Sequence, residues 1–326
     1  MTLLPAFNRS RRFNRRTTIE TLCLAGLLIG AVCLIGAKAQ AQPDPAQVTI
    51  KVIPVAAGTY MLEGGGGNIG ISVGNDDVFM IDDQYAPLTP KIRAAIATVS
   101  PKPVRFLLNT HWHGDHTGGN ENMAGAGAII VAHDNTRKRM TREQFIAAFN
   151  MKVPPSPVAA LPIVTFSESL SLYLNGDSVR ATHFRNAHTD GDVVVTFEKA
   201  NVIHMGDIFF NGMYPLVDLS TGGSIDGIIA AVDQILPRTT ASTRFIPGHG
   251  PLGNRDDLVR YRSVVKTIRD RVARLVARRR TLAQVVAAKP TADYDGAWGK
   301  GFLQPDVFVT ILYNDLSRRG RLTGRP

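Results

Sequence analysis

Cysteine is the first thing this chain has little of. Of 326 residues only Cys23 and Cys33 carry a thiol, and both lie in a leading stretch that reads as removable. The chain beyond them has no disulfide and no thiolate metal ligand. Aromatics are sparse too, at 7%, and only Tyr261 falls within the basic stretches Arg255 to Arg280 and "SRRGRLTGRP". The formal charge is +10, but about half of it belongs to Met1–Ala41. Without a nucleic-acid motif, these arginines read as a solvated helix face, and no nucleic-acid partner is expected. Repeats and low-complexity segments are missing as well. The apolar run Leu22 to Ala37 is short for a comfortable membrane span.

That run has the layout of an export signal. Arg9, Arg11, Arg12, Arg15 and Arg16 precede it, small residues at Ala37, Ala39 and Ala41 offer cleavage spacing, and the polar "QAQPDPAQ" follows. The expected organisation is a signal peptide over 1–41 and a mature chain over 42–326, periplasmic or secreted, with no stable membrane insertion after cleavage. The residues before Cys33 lack the leucine of a lipoprotein site. The two arginine pairs fit a twin-arginine signal poorly, which leaves the export route open.

Period-two alternation between "GGGGN" and Asn-Asp turns predicts hairpins from Val48 to Asp82. Thr89 and Pro90 predict the cap and first turn of a helix running to Val99. "VRFLLNT" and Ala128 to Ala132 read as strands, Thr141 to Asn150 as a helix, and "VPPSPVAALP" as surface loop. Further strands follow at "VTFSESLSLYL", "DSVRATHF", "DVVVTFE", "NVIHMGD" and "TRFI". Helices are expected at "IDGIIAAVDQIL", Asp256 to Arg280 and Pro305 to Arg318. Each half supplies strands first and covering helices afterwards, which two packed sheets with helices outside would satisfy.

The chemistry concentrates in "NTHWHGDHTGGN", Asn109 to Asn120. His111 and His113 are two apart, so on an extended segment their rings share a side and one cation. Asp115 and His116 follow at a strand-to-helix turn and suit a second cation a few ångströms away. Acidic and imidazole groups then recur at the ends of apolar strands: His188 in "AHTDGD", Asp207 in "HMGD", His249 in "PGHG". Imidazole and carboxylate donors without sulfur suit zinc first, iron or manganese less well. Five neutral histidines and two aspartates leave two divalent ions with net positive charge, which favours a small anionic substrate.

This ordered set, HxHxDH then His, Asp and His, resembles the metallo-β-lactamase-fold superfamily of binuclear metallohydrolases over Val48 to roughly Leu258. The resemblance implies an α+β, four-layer αββα sandwich, followed by a C-terminal helical extension from about residue 255. It implies that His111, His113 and His188 hold a first zinc, Asp115, His116 and His249 a second, and that Asp207 bridges them. A metal-bound hydroxide would attack an acyl or phosphoryl centre, oriented by Asp115, the expected catalytic residue. "AHTDGDVVV" and "PGHG" look like the β-lactam-hydrolysing branch. Against that, Asp207 stands where the commonest lactamase subclass has cysteine, and Phe210 where it usually has a substrate-gripping lysine. Lactonase, thioesterase and phosphodiesterase relatives stay open, as does a mono-iron persulfide dioxygenase.

Other polar residues have plainer readings. His133, His183 and His204 are expected to make structural hydrogen bonds, and Trp112 to pack in the core. Asp82 or Asp83 is a candidate to steer a ligand imidazole. "GGGGN" lacks the lysine and helix of a phosphate loop and reads as a mobile hairpin loop near the site mouth. Asn211, Tyr214 and the loop "MYPLVDLSTGG" are expected to line the cleft, with any of them available to an oxyanion.

Overall fold

A computed structural model describes residues 44–323, with side chains described to Arg318. The signal-peptide assignment therefore lies outside the described residues.

The first nine strands among the described residues are β1 (Lys51–Ala56), β2 (Thr59–Glu63), β3 (Ile69–Ser72), β4 (Val78–Ile81), β5 (Val104–Asn109), β6 (Ile129–His133), β7 (Gln144–Ile146), β8 (Met151–Val153) and β9 (Val164–Phe166). Seven of them form one sheet in the order β1-β2-β3-β4-β5-β6-β9; β7 and β8 pair separately. The sheet is antiparallel through β4 and parallel from there on. The parallel crossovers carry α1 (Thr89–Ala97), α2 (Gly114–Thr117), α3 (Asn120–Gly125) and α4 (Asp134–Met140). The second sheet runs in chain order: β10 (Ser169–Leu174), β11 (Asp177–His183), β12 (Val193–Phe197), β13 (Val202–His204), β14 (Arg244–Ile246) and β15 (Gly253–Asn254). The remaining helices are α5 (Ile225–Ile235), α6 (Arg255–Ala277), α7 (Leu282–Ala287), α8 (Ala292–Trp298) and α9 (Pro305–Thr323). Among the described residues no helix is long and apolar enough to cross a membrane.

Alternation along the strands explains the layering, because successive side chains leave opposite faces. Ile81, Leu108 and Val131 meet Val193, Val195 and Phe197 between the sheets. Their chain neighbours Met80, Leu107 and Ile130 point outward onto Ile92 and Ile96 of α1. On the other sheet, Val194 and Ile203 face α5, α6 and α9. Four layers follow from these two alternations, and the αββα sandwich expected from the sequence is what forms.

Two local expectations are corrected. Thr89 does not cap α1: the helix continues from a 3-10 turn at Ala86–Leu88 and has no side-chain cap. The helix predicted over Thr141 to Asn150 lies one segment earlier, at α4, where the His133 ring accepts a hydrogen bond from the Asn135 N–H. Gln144–Ile146 instead pairs with Met151–Val153, and Asn150 makes the turn in the left-handed region at φ 50°. Its apolar residues have period two: Ile146 is buried and Phe145 exposed.

Candidate metal centre

All seven predicted ligands converge at one end of the two sheets. β5 runs into the segment holding His111 and His113, and the one-turn α2 carries Asp115 and His116. His188 lies between β11 and β12, Asp207 follows β13, and His249 follows β14. This is the carboxyl-terminal rim where open α/β sheets collect ligands.

Two clusters of ligand atoms form, each within 4.8 Å: His111, His113, His188 and Asp207; and Asp115, His116 and His249. Asp207 serves both. Its Oδ2 lies 3.9 Å from His111 Nε2 and 3.5 Å from His188 Nε2. Its Oδ1 lies 3.1 Å from His116 Nε2 and 3.5 Å from His249 Nε2. Asp115 Oδ2 completes the second cluster, 3.2 Å from His249 Nε2 and 3.6 Å from His116 Nε2.

The donor set fits cations. His111 Nε2 and Asp207 Oδ1 are buried without hydrogen-bond partners, a costly arrangement unless a cation satisfies them. His113 Nδ1 and His188 Nε2 face each other at 2.9 Å, while their opposite nitrogens donate to Asp218 Oδ2 and to the Leu216 carbonyl. Two lone pairs therefore converge.

Outer carboxylates fix two of the rings. His116 Nδ1 donates to Asp82 Oδ2 at 2.8 Å, and Asp82 also accepts from the Thr110 N–H and Oγ1 at 2.7 Å. Asp82, at φ 60°, is thus the steering carboxylate of the adjacent pair, while Asp83 accepts from the Gly119 N–H. Asp218 holds His113 and itself accepts from Thr221 Oγ1 and the Ser220 N–H. The sequence reading missed Asp218; its visible signature is only that of a turn cap. Asp82→Asn and Asp218→Asn are each expected to cost about 10–100-fold in metal affinity or turnover, measured by competition with a chromogenic chelator; wild-type affinity in both would refute the steering role.

Electrostatics differ between the clusters. Burial pushes His111 well below the ordinary imidazole value and His188 down to about 4, keeping both neutral. Burial also opposes charge on His116 and His249. There the carboxylates of Asp207 and Asp115 outweigh it, raising His116 well above its ordinary value and His249 to about 9. Near neutral pH a cation entering the second cluster must displace these protons, whereas the neutral His111 and His188 have none to lose. Uptake there should release protons, and affinity should rise from pH 6 to pH 8. Calorimetry in two buffers of different ionisation enthalpy checks this; affinity independent of pH would contradict it.

The other expectations sort cleanly. His204 Nε2 bonds the Asn68 carbonyl, and His133 bonds the Ser167 carbonyl and stacks on His183, whose Nδ1 bonds the Asp192 carbonyl. All three are structural. Trp112 is buried with Met140, Ile146 and Leu161. The glycine loop is fastened: Gly67 N–H donates to the Asp115 carbonyl, Gly65 N–H to Gln84 Oε1, and Gln84 Nε2 to the Gly67 carbonyl. Tyr214 does not line the cleft. It is buried, donates to Asp295 Oδ1 at 2.8 Å and stacks on Phe308. Asn211 Nδ2 is committed to the Pro251 carbonyl.

A family model described as the metallo-beta-lactamase superfamily matches residues 62–277. The chain belongs to the metallo-beta-lactamase superfamily. Solved structures agree on the fold. A metallo-beta-lactamase from Pontibacter korlensis is 20% identical, with TM-score 0.55, and covers 67% of this chain and 99% of its own. The DIM-1 metallo-beta-lactamase is 18% identical, with TM-score 0.54, and covers 68% and 99%. Superfamily membership and the His/Asp clusters together mark the chain as a metal-dependent hydrolase.

Proposed function

We propose that the chain is an exported, binuclear zinc hydrolase that cleaves an acyl bond in a small molecule. The observation that carries this reading is Asp207, which turns one oxygen to each histidine cluster. His111, His113 and His188 would hold one ion with Asp207; Asp115, His116 and His249 the other. Ions held there would supply a water of lowered pKa and polarisation of the substrate oxygen.

The chain's own residues do the rest. Side chains of Asp115 and His249 are 24% and 19% exposed, while Asp207 is nearly buried and His111, His116 and His188 fully so. Substrate therefore enters from the Asp115 side. Burial opposes ionisation of Asp115, but His116 and His249 hold it far below the ordinary carboxyl range, so it stands as a carboxylate whose oxygens can face a cation and accept a hydrogen bond from the water it orients. The buried side of the centre excludes bulk water.

The two solved structures named above bear the name metallo-beta-lactamase, and a lactam is the first substrate to try. Phe210 favours a second reading. It is buried and stacked on the His249 ring, centroids 5.1 Å apart, and offers no cation to a substrate carboxylate. A lactone or thioester, which needs no carboxylate grip at that position, is the alternative substrate. The test is a panel of nitrocefin, an acyl-homoserine lactone, a thioester and bis-p-nitrophenyl phosphate with metal-replete enzyme. Acyl turnover abolished by EDTA, restored by zinc and lost in Asp115→Asn is expected. Preference for the phosphodiester, or turnover indifferent to EDTA, would refute the acyl metallohydrolase.

A further inference from the structure

The family match ends at residue 277, yet the chain beyond it returns to the metal centre. In the loop between α8 and α9, the Phe302 ring lies 5.7 Å from the His249 ring and 5.9 Å from Phe210. From the opposite direction, the β7–β8 connection brings Phe149 within 6.5 Å of Phe302. Both phenylalanines are partly exposed, and His249, which Phe302 touches, is on the open side of the centre.

The wall is fixed in place. Trp298 of α8 stacks on Tyr261, Asp295 accepts from Tyr214, and Leu303 is buried beside Phe302. Gly301 packs so closely on Met213 that an added Cβ would lie 2.8 Å from the Met213 Cβ. The extension is thereby fastened to the chain that follows Asp207. Ring faces and edges carry no hydrogen-bond donor and gain from contact only with apolar surface.

We infer that the C-terminal extension supplies Phe302 as a specificity wall, with Phe149 beside it, and that the enzyme selects acyl substrates bearing an apolar chain or ring. This rests on the hydrolase reading above, so the test separates the two.

Metal-replete full chain is given p-nitrophenyl esters from acetate to octanoate, and separately alkylhydroxamates of the same lengths, whose affinity is read by calorimetry. Both kcat/KM and hydroxamate affinity should rise about threefold or more per methylene over the first few carbons. In Phe302→Ser the octanoyl-to-acetyl ratio should fall about tenfold, whereas Phe302→Leu keeps most of it and the remote, 79% exposed Tyr173→Ala keeps all of it. A flat series in the wild type, or an unchanged slope in Phe302→Ser with wild-type metal content, overturns the wall. If no ester is turned over but the hydroxamate slope depends on Phe302, the wall stands and the hydrolase reading fails. If no ester is turned over and no hydroxamate binds, both fail.

Discussion

Asp207→Asn is expected to leave the fold intact, reduce bound metal from two ions per chain to one, and cost far more than the roughly 10–100-fold of an outer partner. The substitution is nearly isosteric but replaces one carboxylate oxygen with an amide nitrogen, which cannot ligate. Asp207 has one oxygen facing His111 and His188 and the other facing His116 and His249. An asparagine can serve only one of these clusters. It also removes the negative charge that raises His116 and His249 against the pull of burial. Elemental analysis of folded variant, with circular dichroism as the check on fold, gives the answer; two retained ions and near-wild-type turnover would show that Asp207 does not join the clusters.

Gly248→Ala should do comparable damage without removing any ligand. A Cβ at position 248 would sit 2.0 Å from Asp207 Oδ1 and 2.7 Å from the Gly206 backbone. Real contacts that short do not occur, so either the bridging carboxylate or the turn after β13 must shift. Displacing a reacting group by about 1 Å costs on the order of 10²-fold. Gly67→Ala makes the matching test on the other side, because its Cβ would lie 2.1 Å from His116 Cε1. Both variants should purify with sub-stoichiometric metal and turnover down about 10²-fold. Gly114, where an added Cβ meets nothing within 4 Å, is the control position. Wild-type turnover in Gly248→Ala would mean that the close packing of Asp207 is not needed.

These glycines show what was and was not legible in the chain. The ligands could be read because each follows the end of a strand by a few residues, and the spacing of His111 and His113 survives as an extended turn. The four layers could be read because Met80–Ile81, Leu107–Leu108 and Val193 to Val195 alternate between two apolar surroundings. What decided Asp82 over Asp83 was not local. Asp82 turns at φ 60° onto Thr110 and His116, and no pattern in "MIDDQ" encodes that. Asp218 looks like any turn cap until His113, 105 residues earlier, is seen against it. Tyr214 was misplaced for the same reason: its partners Asp295 and Phe308 belong to the C-terminal extension. Phe302 sits in a loop without periodicity, and only the path of α8 and α9 brings it to His249.

The central claim is a binuclear centre divided by Asp207. It is tested most directly by crystals of metal-replete protein and the anomalous difference map at the zinc edge. The account predicts two peaks flanking the Asp207 carboxylate, one among His111, His113 and His188, the other among Asp115, His116 and His249. A single peak, or a pair of which Asp207 contacts only one, would contradict it.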